Sequence, residues 1–337
     1  MSHYNFVILG SENDIFRTSF KDVAQQENVA YLDDGISCRC PLYKLLHRLH
    51  FSRQINKLIS IPFKNVWNSG KIAFSLDNSK PLCFILFTNW VRNDRQTKFI
   101  SFLRKRYPRC KIVWFAQDIL STVYNTYTRK NIDVELLKSK LDLTVSYDMG
   151  DAKKYGLEYH PTVLSKIQIP SNSKYESDLF FIGKSKKRLD LLIELSKGLK
   201  KYGVKCNFMV LGISPEEQKD PEYINYIEKP LTYHENLNYA VNAKCLLELM
   251  QPGAVGYTFR TSEALLYNKK LITNNQFVEN APFFSAENII VMKDLSEKWF
   301  KDVAHKILDN KPVQYENIDI ISPKHLLAFI EEKIEQS

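Results

Sequence analysis

Hydrophobic residues in this chain fall into short continuous runs, separated by stretches with helical spacing. Asn5–Gly10 (NFVILG), Leu82–Thr88 (LCFILFT), Cys110–Ala116 (CKIVWFA) and Leu141–Ser146 (LDLTVS) are apolar almost throughout. Runs of that kind are strands buried on both faces of a parallel sheet. Ile15–Glu27, Asp94–Arg106 and Asp133–Lys140 carry helical periodicity between them. The run Tyr159–Lys174 contains Pro161 and Pro170 and ends in a polar Ser/Asn cluster, as interdomain connections do. The rhythm then restarts. Strands are expected at Asp178–Ile182, Cys206–Leu211, Leu246–Met250, Lys270–Asn274 and Asn288–Met292. Helices are expected at Lys187–Tyr202, Glu235–Val241, Ser296–Leu308 and Pro323–Ile334. The alternation predicts an α/β fold of two Rossmann-like βαβ domains, 1–170 and 171–322, facing across a cleft.

Ligands of such sheets bind beyond the carboxyl ends of the strands. In the first half that rule selects Gly10, Ser11, Glu12, Asn89, Trp90, Gln117 and Asp118, with Asp14 close by. In the second half it selects two segments. One is Gly183-Lys184-Ser185-Lys186-Lys187-Arg188, between a buried strand and a helix, a position suited to anions. It lacks the G-x-x-x-x-G-K-[ST] pattern and is no P-loop. The other is Leu246–Asn274, read as strand, glycine-bearing loop, helix and strand. Thr258, Arg260, Thr261, Ser262 and Glu263 cluster where that loop enters its helix. A helix N-terminus offers backbone N–H groups to an anion, Arg260 offers a planar fork for phosphate, and Glu263 can accept from sugar hydroxyls.

Charge adds a second theme. The 337-residue chain has a formal net charge of +9. Met1–Pro170 holds 25 Lys and Arg against 15 Asp and Glu, so the whole excess lies in the first half. Gly35–Leu76 contains no acidic residue yet carries Arg39, Lys44, Arg48, Arg53, Lys57, Lys64 and Lys71. Leu42, Leu45, Leu46 and Leu49 follow helical spacing within it, after Pro41. This is either a helix packed on its own sheet or a basic amphipathic helix resting on an anionic bilayer. Nucleic acid is not expected as a partner, because the stretch matches no recognised binding pattern. The six cysteines are scattered, Cys38-x-Cys40 has no matching Cys or His pair, and the seven histidines form no metal motif. No Asp-x-Asp pair occurs, no secretory signal opens the sequence, and no apolar window is long enough to span a membrane. The expectation is a cytoplasmic protein without a cofactor or metal, peripheral on the inner face of the plasma membrane if the basic region binds there.

The segments FIGKSKKRLDLL and SEALLYNKKLITNN together resemble GT-B glycosyltransferases, particularly bacterial enzymes that build capsular and lipopolysaccharide chains. The resemblance implies a second domain that binds the nucleotide-sugar donor, with Gly183, Lys184, Lys187 and Arg188 at the diphosphate and Glu263 at the ribose. It implies that Thr258, Arg260 and Thr261 serve the phosphates or the donor sugar, and that the final helix, 323–337, crosses back to the first domain. Many retaining members carry a second Glu eight residues before the position of Glu263; here that residue is Val255. Retention or inversion is therefore left open. The implied reaction is transfer, most simply from a UDP-sugar, to a glycan or lipid-linked acceptor in surface polysaccharide synthesis. Fixed cations and helix N-termini can stabilise the leaving diphosphate without a metal. An inverting enzyme needs a general base in the first domain, and Asp118 is the first candidate, ahead of Glu12 and Asp14; its other reading is a helix N-cap. Two further readings share this architecture: a sugar-nucleotide epimerase and a non-catalytic, glycosyltransferase-like partner subunit.

Overall fold

The apolar runs assemble into two parallel sheets of six strands each. The computed structural model describes residues 2–35, 40–52, 55, 61, 67, 79–93, 97–120, 133–185, 187–251 and 253–336. The chain divides into unit 1, residues 1–165 with 320–337, and unit 2, residues 166–319.

Unit 1 contains β1 (Asn5–Leu9), α1 (Asp14–Ser19), β2 (Val29–Leu32), α2 (Pro41–Phe51), β3 (Leu82–Phe87), α3 (Thr88–Asn93) and α4 (Lys98–Arg106). It continues through β4 (Lys111–Ala116), α5 (Val134–Lys138), β5 (Leu143–Ser146), α6 (Met149–Tyr155) and β6 (Glu158–Tyr159). The strand order is β2-β1-β3-β4-β5-β6. The continuous runs are the central strands: every residue of β1 and β3 is buried. Gly10, just after β1, is required by a close approach, since a Cβ there would lie 2.2 Å from the Tyr31 hydroxyl. That hydroxyl accepts from the Ser11 N–H at 3.1 Å and donates to the Ser11 carbonyl at 3.0 Å, fixing the turn.

Unit 2 contains β7 (Ser177–Lys184), α7 (Leu189–Lys200), β8 (Cys206–Leu211), β9 (Asn225–Ile227), α8 (Tyr233–Asn242) and β10 (Ala243–Glu248). It ends with α9 (Phe259–Leu266), β11 (Lys270–Thr273), β12 (Ile289–Val291) and α10 (Glu297–Leu308). The order is β12-β11-β10-β7-β8-β9, with Leu246 of β10 paired to Phe180 of β7 and Leu271 of β11. A continuous core joins Leu192, Leu195 and Leu199 of α7 to Phe300, Val303 and Ile307 of α10. Gly198 permits the contact, because a Cβ there would lie 2.3 Å from the Phe300 ring. Thr232 caps α8 in a reciprocal box with Glu235.

The last helix, α11 (Pro323–Gln336), places Leu326, Leu327, Ile330 and Ile334 in the core of unit 1. His325 of α11 meets the buried His160 at 2.9 Å, and the other ring nitrogen of His160 lies 2.9 Å from the Pro161 carbonyl. Burial, chiefly, lowers the His160 pKa to about 4.

Several details differ from the sequence expectation. The helix expected over Ile15–Glu27 is α1 followed by turns, in which Lys21 and Gln26 donate to carbonyls three residues back while Phe20 and Val23 anchor to the core. In the segment expected as a helix over Asp94–Arg106, 94–96 lie outside the described residues and α4 begins at Lys98. Of the basic set, only Lys44 and Arg48 are described; Arg39, Arg53, Lys57, Lys64 and Lys71 lie outside the described residues. The leucine stripe of α2 is not buried on the sheet: Leu42, Leu45, Leu46 and Leu49 are 43–63% exposed. Among the described residues no helix is long and apolar enough to cross a membrane.

Candidate functional site

In an open parallel sheet the binding crevice forms where the strand order reverses. In unit 2 the reversal falls between β7 and β10, and the basic turn sits there. Arg188 donates from Nε to the Ser185 carbonyl at 3.2 Å, from Nη2 to the Lys184 carbonyl at 2.9 Å, and from Nη1 to the Leu249 carbonyl. It thereby ties the carboxyl ends of β7 and β10 together. Half-buried, its guanidinium has a pKa lowered by desolvation. Lys184, after Gly183 at the end of β7, and Lys187 are exposed, and neither pairs with a carboxylate among the described residues. Lys187 sits in the left-handed region at φ 65°, within a turn closed by the Arg188 N–H on the Ser185 carbonyl at 2.7 Å. Two outward ammoniums on a turn fixed by a third cation form a surface for a polyanion; Lys186 lies outside the described residues.

The second segment is more enclosed. Thr258 caps α9 by accepting from the Arg260 N–H at 3.1 Å. Its own hydroxyl donates at 2.5 Å to Glu248, a buried carboxylate that closes β10. Thr261 and Thr273 also donate to Glu248, each at 2.7 Å, so one carboxylate fastens β10, α9 and β11. Behind this the loop is pinned again: Met250 N–H donates to Asn274 Oδ1 at 2.7 Å, and Asn275 Nδ2 to the Gly256 carbonyl at 3.1 Å.

Glu263 is 1% exposed and faces inward. One carboxylate oxygen accepts from Arg260 Nη1 and the other from Asn236 Nδ2 of α8 at 3.1 Å, while Arg260 Nη2 reaches Asn236 Oδ1 at 3.3 Å. Burial raises the Glu263 pKa, and Arg260 opposes that rise. The phenol of Tyr233 is raised by burial first and by Glu263 second. In the described state, then, Glu263 and Arg260 join α8 to α9. Arg260 lies over the Phe180 ring at 5.3 Å and Arg188 over Phe181 at 5.8 Å. Successive strand residues point to opposite faces, so the two guanidiniums occupy opposite faces of the sheet. The structure brings Lys184, Lys187 and Arg188 together; it does not set Arg260 beside Arg188.

At the carboxyl edge of unit 1 the reversal lies between β1 and β3. There Asn89 Nδ2 donates to the Gly10 carbonyl at 3.1 Å and to Asp34 at 2.6 Å, and Trp90 Nε1 donates to the same carbonyl at 2.6 Å. Both side chains brace the crevice. Ser11 is held by Tyr31, the Glu12 N–H by Asp34 at 2.8 Å, and Asp14 lies exposed in the first turn of α1. Asp118 is exposed beyond β4. Two buried polar atoms at this edge, Thr88 Oγ1 and Gln117 Nε2, have no hydrogen-bond partner among the described residues. The three-residue cluster with metal-ligand spacing among the described residues, His3, Glu331 and Glu335, is at the surface of unit 1.

Sequence reasoning passed over Glu248, Asn236, Thr273, Asn274 and Asn275. A signal for Glu248 exists, since it is the one charge inside the apolar run LLELM.

No family model matches this chain, and no curated protein matches it. Solved structures do. An α-glucosyltransferase in complex with UDP and a 13-mer DNA containing an HMU base aligns with TM-score 0.59 at 10% identity, over 98% of this chain and 99% of that one. A trehalose-6-phosphate synthase aligns with TM-score 0.57 at 10% identity, over 99% of both chains. A UDP-forming trehalose-phosphate synthase from Burkholderia xenovorans aligns with TM-score 0.50 at 11% identity, over 98% of this chain and 96% of that one. The fold is GT-B. At these identities the likeness fixes the GT-B architecture, two six-stranded parallel sheets flanked by helices, and leaves the chemistry to the residues.

Proposed function

We propose that this GT-B chain is a glycosyltransferase that takes a sugar from a UDP-sugar and passes it to a glycan or lipid-linked glycan in bacterial surface polysaccharide synthesis. One observation carries the reading: Lys184, Lys187 and Arg188 meet at the reversal point of the unit 2 sheet, on the turn tied to the end of β10. That is where a diphosphate leaving group would be held, and the exposed ammoniums can neutralise its growing charge. No resident cofactor is invoked; the nucleotide sugar is a co-substrate. One GT-B neighbour solved in complex with UDP and another described as UDP-forming support the choice of base. On the acceptor side, the exposed Asp118 would take the proton of the attacking hydroxyl if transfer inverts. The reading places the enzyme in the cytoplasm, at the anionic inner face of the plasma membrane.

A thermal-shift panel of UDP, GDP, CDP and TDP tests the donor site. UDP should raise the transition in a concentration-dependent way, and Lys184→Ala with Lys187→Ala should weaken that response about tenfold or more. Asp118→Asn should leave the UDP response intact while abolishing transfer. A flat response to all four nucleotides would favour the partner-subunit reading, which Val255 and the enclosed Glu263 also favour. Nucleic acid stays off the acceptor list in this proposal, although the α-glucosyltransferase neighbour was solved with DNA; saturable DNA binding in a gel shift would reverse that.

A further inference from the structure

An amphipathic helix inside a domain normally buries its apolar stripe. Helix α2 does not. Leu42 is 63% exposed, Leu45 50%, Leu46 49% and Leu49 43%. With Tyr43 they make five of the seven exposed large hydrophobics among the described residues. At about 100° per residue the four leucines share an arc of roughly 100°; Lys44 lies about 150° from its centre and Arg48 about 110°, on the flank beside Leu45. The flank between is covered: Trp67 packs edge-on against Tyr43 at 4.8 Å and His47 at 5.2 Å, and its Nε1 donates to His50 Nδ1 at 2.8 Å. The helix therefore has one aromatic side occupied by its own chain, a leucine stripe turned outward, Arg48 flanking that stripe on the other side and Lys44 behind it.

We propose that α2 is a docking element for an anionic lipid surface, its leucines entering the boundary between headgroups and acyl chains and its cations meeting lipid phosphates. Charge selects this occupant over a second protein. Gly35–Leu76 carries seven Lys and Arg and no Asp or Glu, so the sequence around the stripe offers cations without a counter-charge. A self-association face built on that stretch would bring like charges together, whereas a bilayer of anionic lipids neutralises them. The described helix supplies two of the cations, Lys44 and Arg48. The inference deepens the membrane-side reading above and supplies the surface on which a lipid-linked acceptor would be met.

Co-sedimentation of the full chain with vesicles is the test. The protein should pellet with vesicles of phosphatidylcholine mixed with phosphatidylglycerol, and much less with phosphatidylcholine alone. High salt should release it, because surface attraction is screened over about 10 Å or less. Leu45→Glu/Leu46→Glu should abolish pelleting. Lys44→Ala and Arg48→Ala should each weaken it about fivefold. Unchanged circular dichroism of the variants, whose side chains are exposed, certifies their fold. Equal pelleting of wild type and the Leu45/Leu46 variant would overturn the proposal, and so would no pelleting at all. A concentration-dependent dimer in ultracentrifugation, dissolved by that same variant, would also overturn it and assign the stripe to a second copy. The UDP response is read in parallel: its loss with vesicle binding intact sinks the donor-site reading alone.

Discussion

The Arg260–Glu263 pair gives a sharp test of the unit 2 site. Arg260→Met removes the charge while keeping a long apolar side chain over Phe180, so the change is electrostatic more than a matter of volume. The Arg260 and Glu263 side chains are 12% and 2% exposed, and after the change the carboxylate would keep its hydrogen bond from Asn236 Nδ2 at 3.1 Å. Breaking a buried pair from one side costs about 3–5 kcal/mol. Because Arg260 keeps some solvent contact, about 3 kcal/mol is the working figure. For a unit of about 150 residues this lowers the transition by roughly 6–12 °C. The sign of the pH dependence follows from Glu263. Its pKa is raised by burial, so its ionisation costs stability as pH rises through the folded-state value, and losing Arg260 enlarges that cost. The deficit of Arg260→Met should therefore shrink as pH falls towards the ordinary carboxylate range, and Arg260→Met/Glu263→Gln should recover most of it. Calorimetry of the four proteins closes a double-mutant cycle. A coupling below about 0.5 kcal/mol, or a deficit constant with pH, would refute the pairing.

Other expectations are briefer. Glu248→Ala should cost about 3 kcal/mol in urea unfolding, because three threonine hydroxyls lose a buried acceptor, while Glu248→Gln, which keeps an acceptor oxygen, should cost about 1 kcal/mol. His160 is held neutral, with its pKa lowered from 6.5 to about 4, so stability should fall as pH drops through that window. Thermal melts of His160→Gln should show a shallower acid limb than wild type, by up to about 3 kcal/mol between the two ends.

The sheets were legible because their central strands are buried on both faces and so need unbroken apolar runs, as in Leu82–Phe87 and Ile112–Ala116. The strands passed over were those outside that rule. β2 is the four-residue run VAYL, of which only Val29 is buried, β6 has two residues, and the three-residue β9 begins at the exposed Asn225; each is too short to stand out as a strand. At the site, the basic turn could be placed because strand and helix periodicity meet at Gly183. What Glu263 faces could not be read, because its direction depends on Asn236 across a helix packing 27 residues away. Likewise the fate of the α2 leucines was a choice between two partners, and periodicity alone identifies a stripe without saying what covers it.

The return of α11 to unit 1 has a consequence for how the chain folds. Unit 2 is one continuous segment, whereas unit 1 lacks Leu326, Leu327, Ile330 and Ile334 until the residues that follow unit 2 are made. Folding during synthesis thus runs against the usual N-terminal-first order. A chain stalled before Pro323 would carry a finished unit 2 beside a unit 1 whose core is open to water along the place of its last helix.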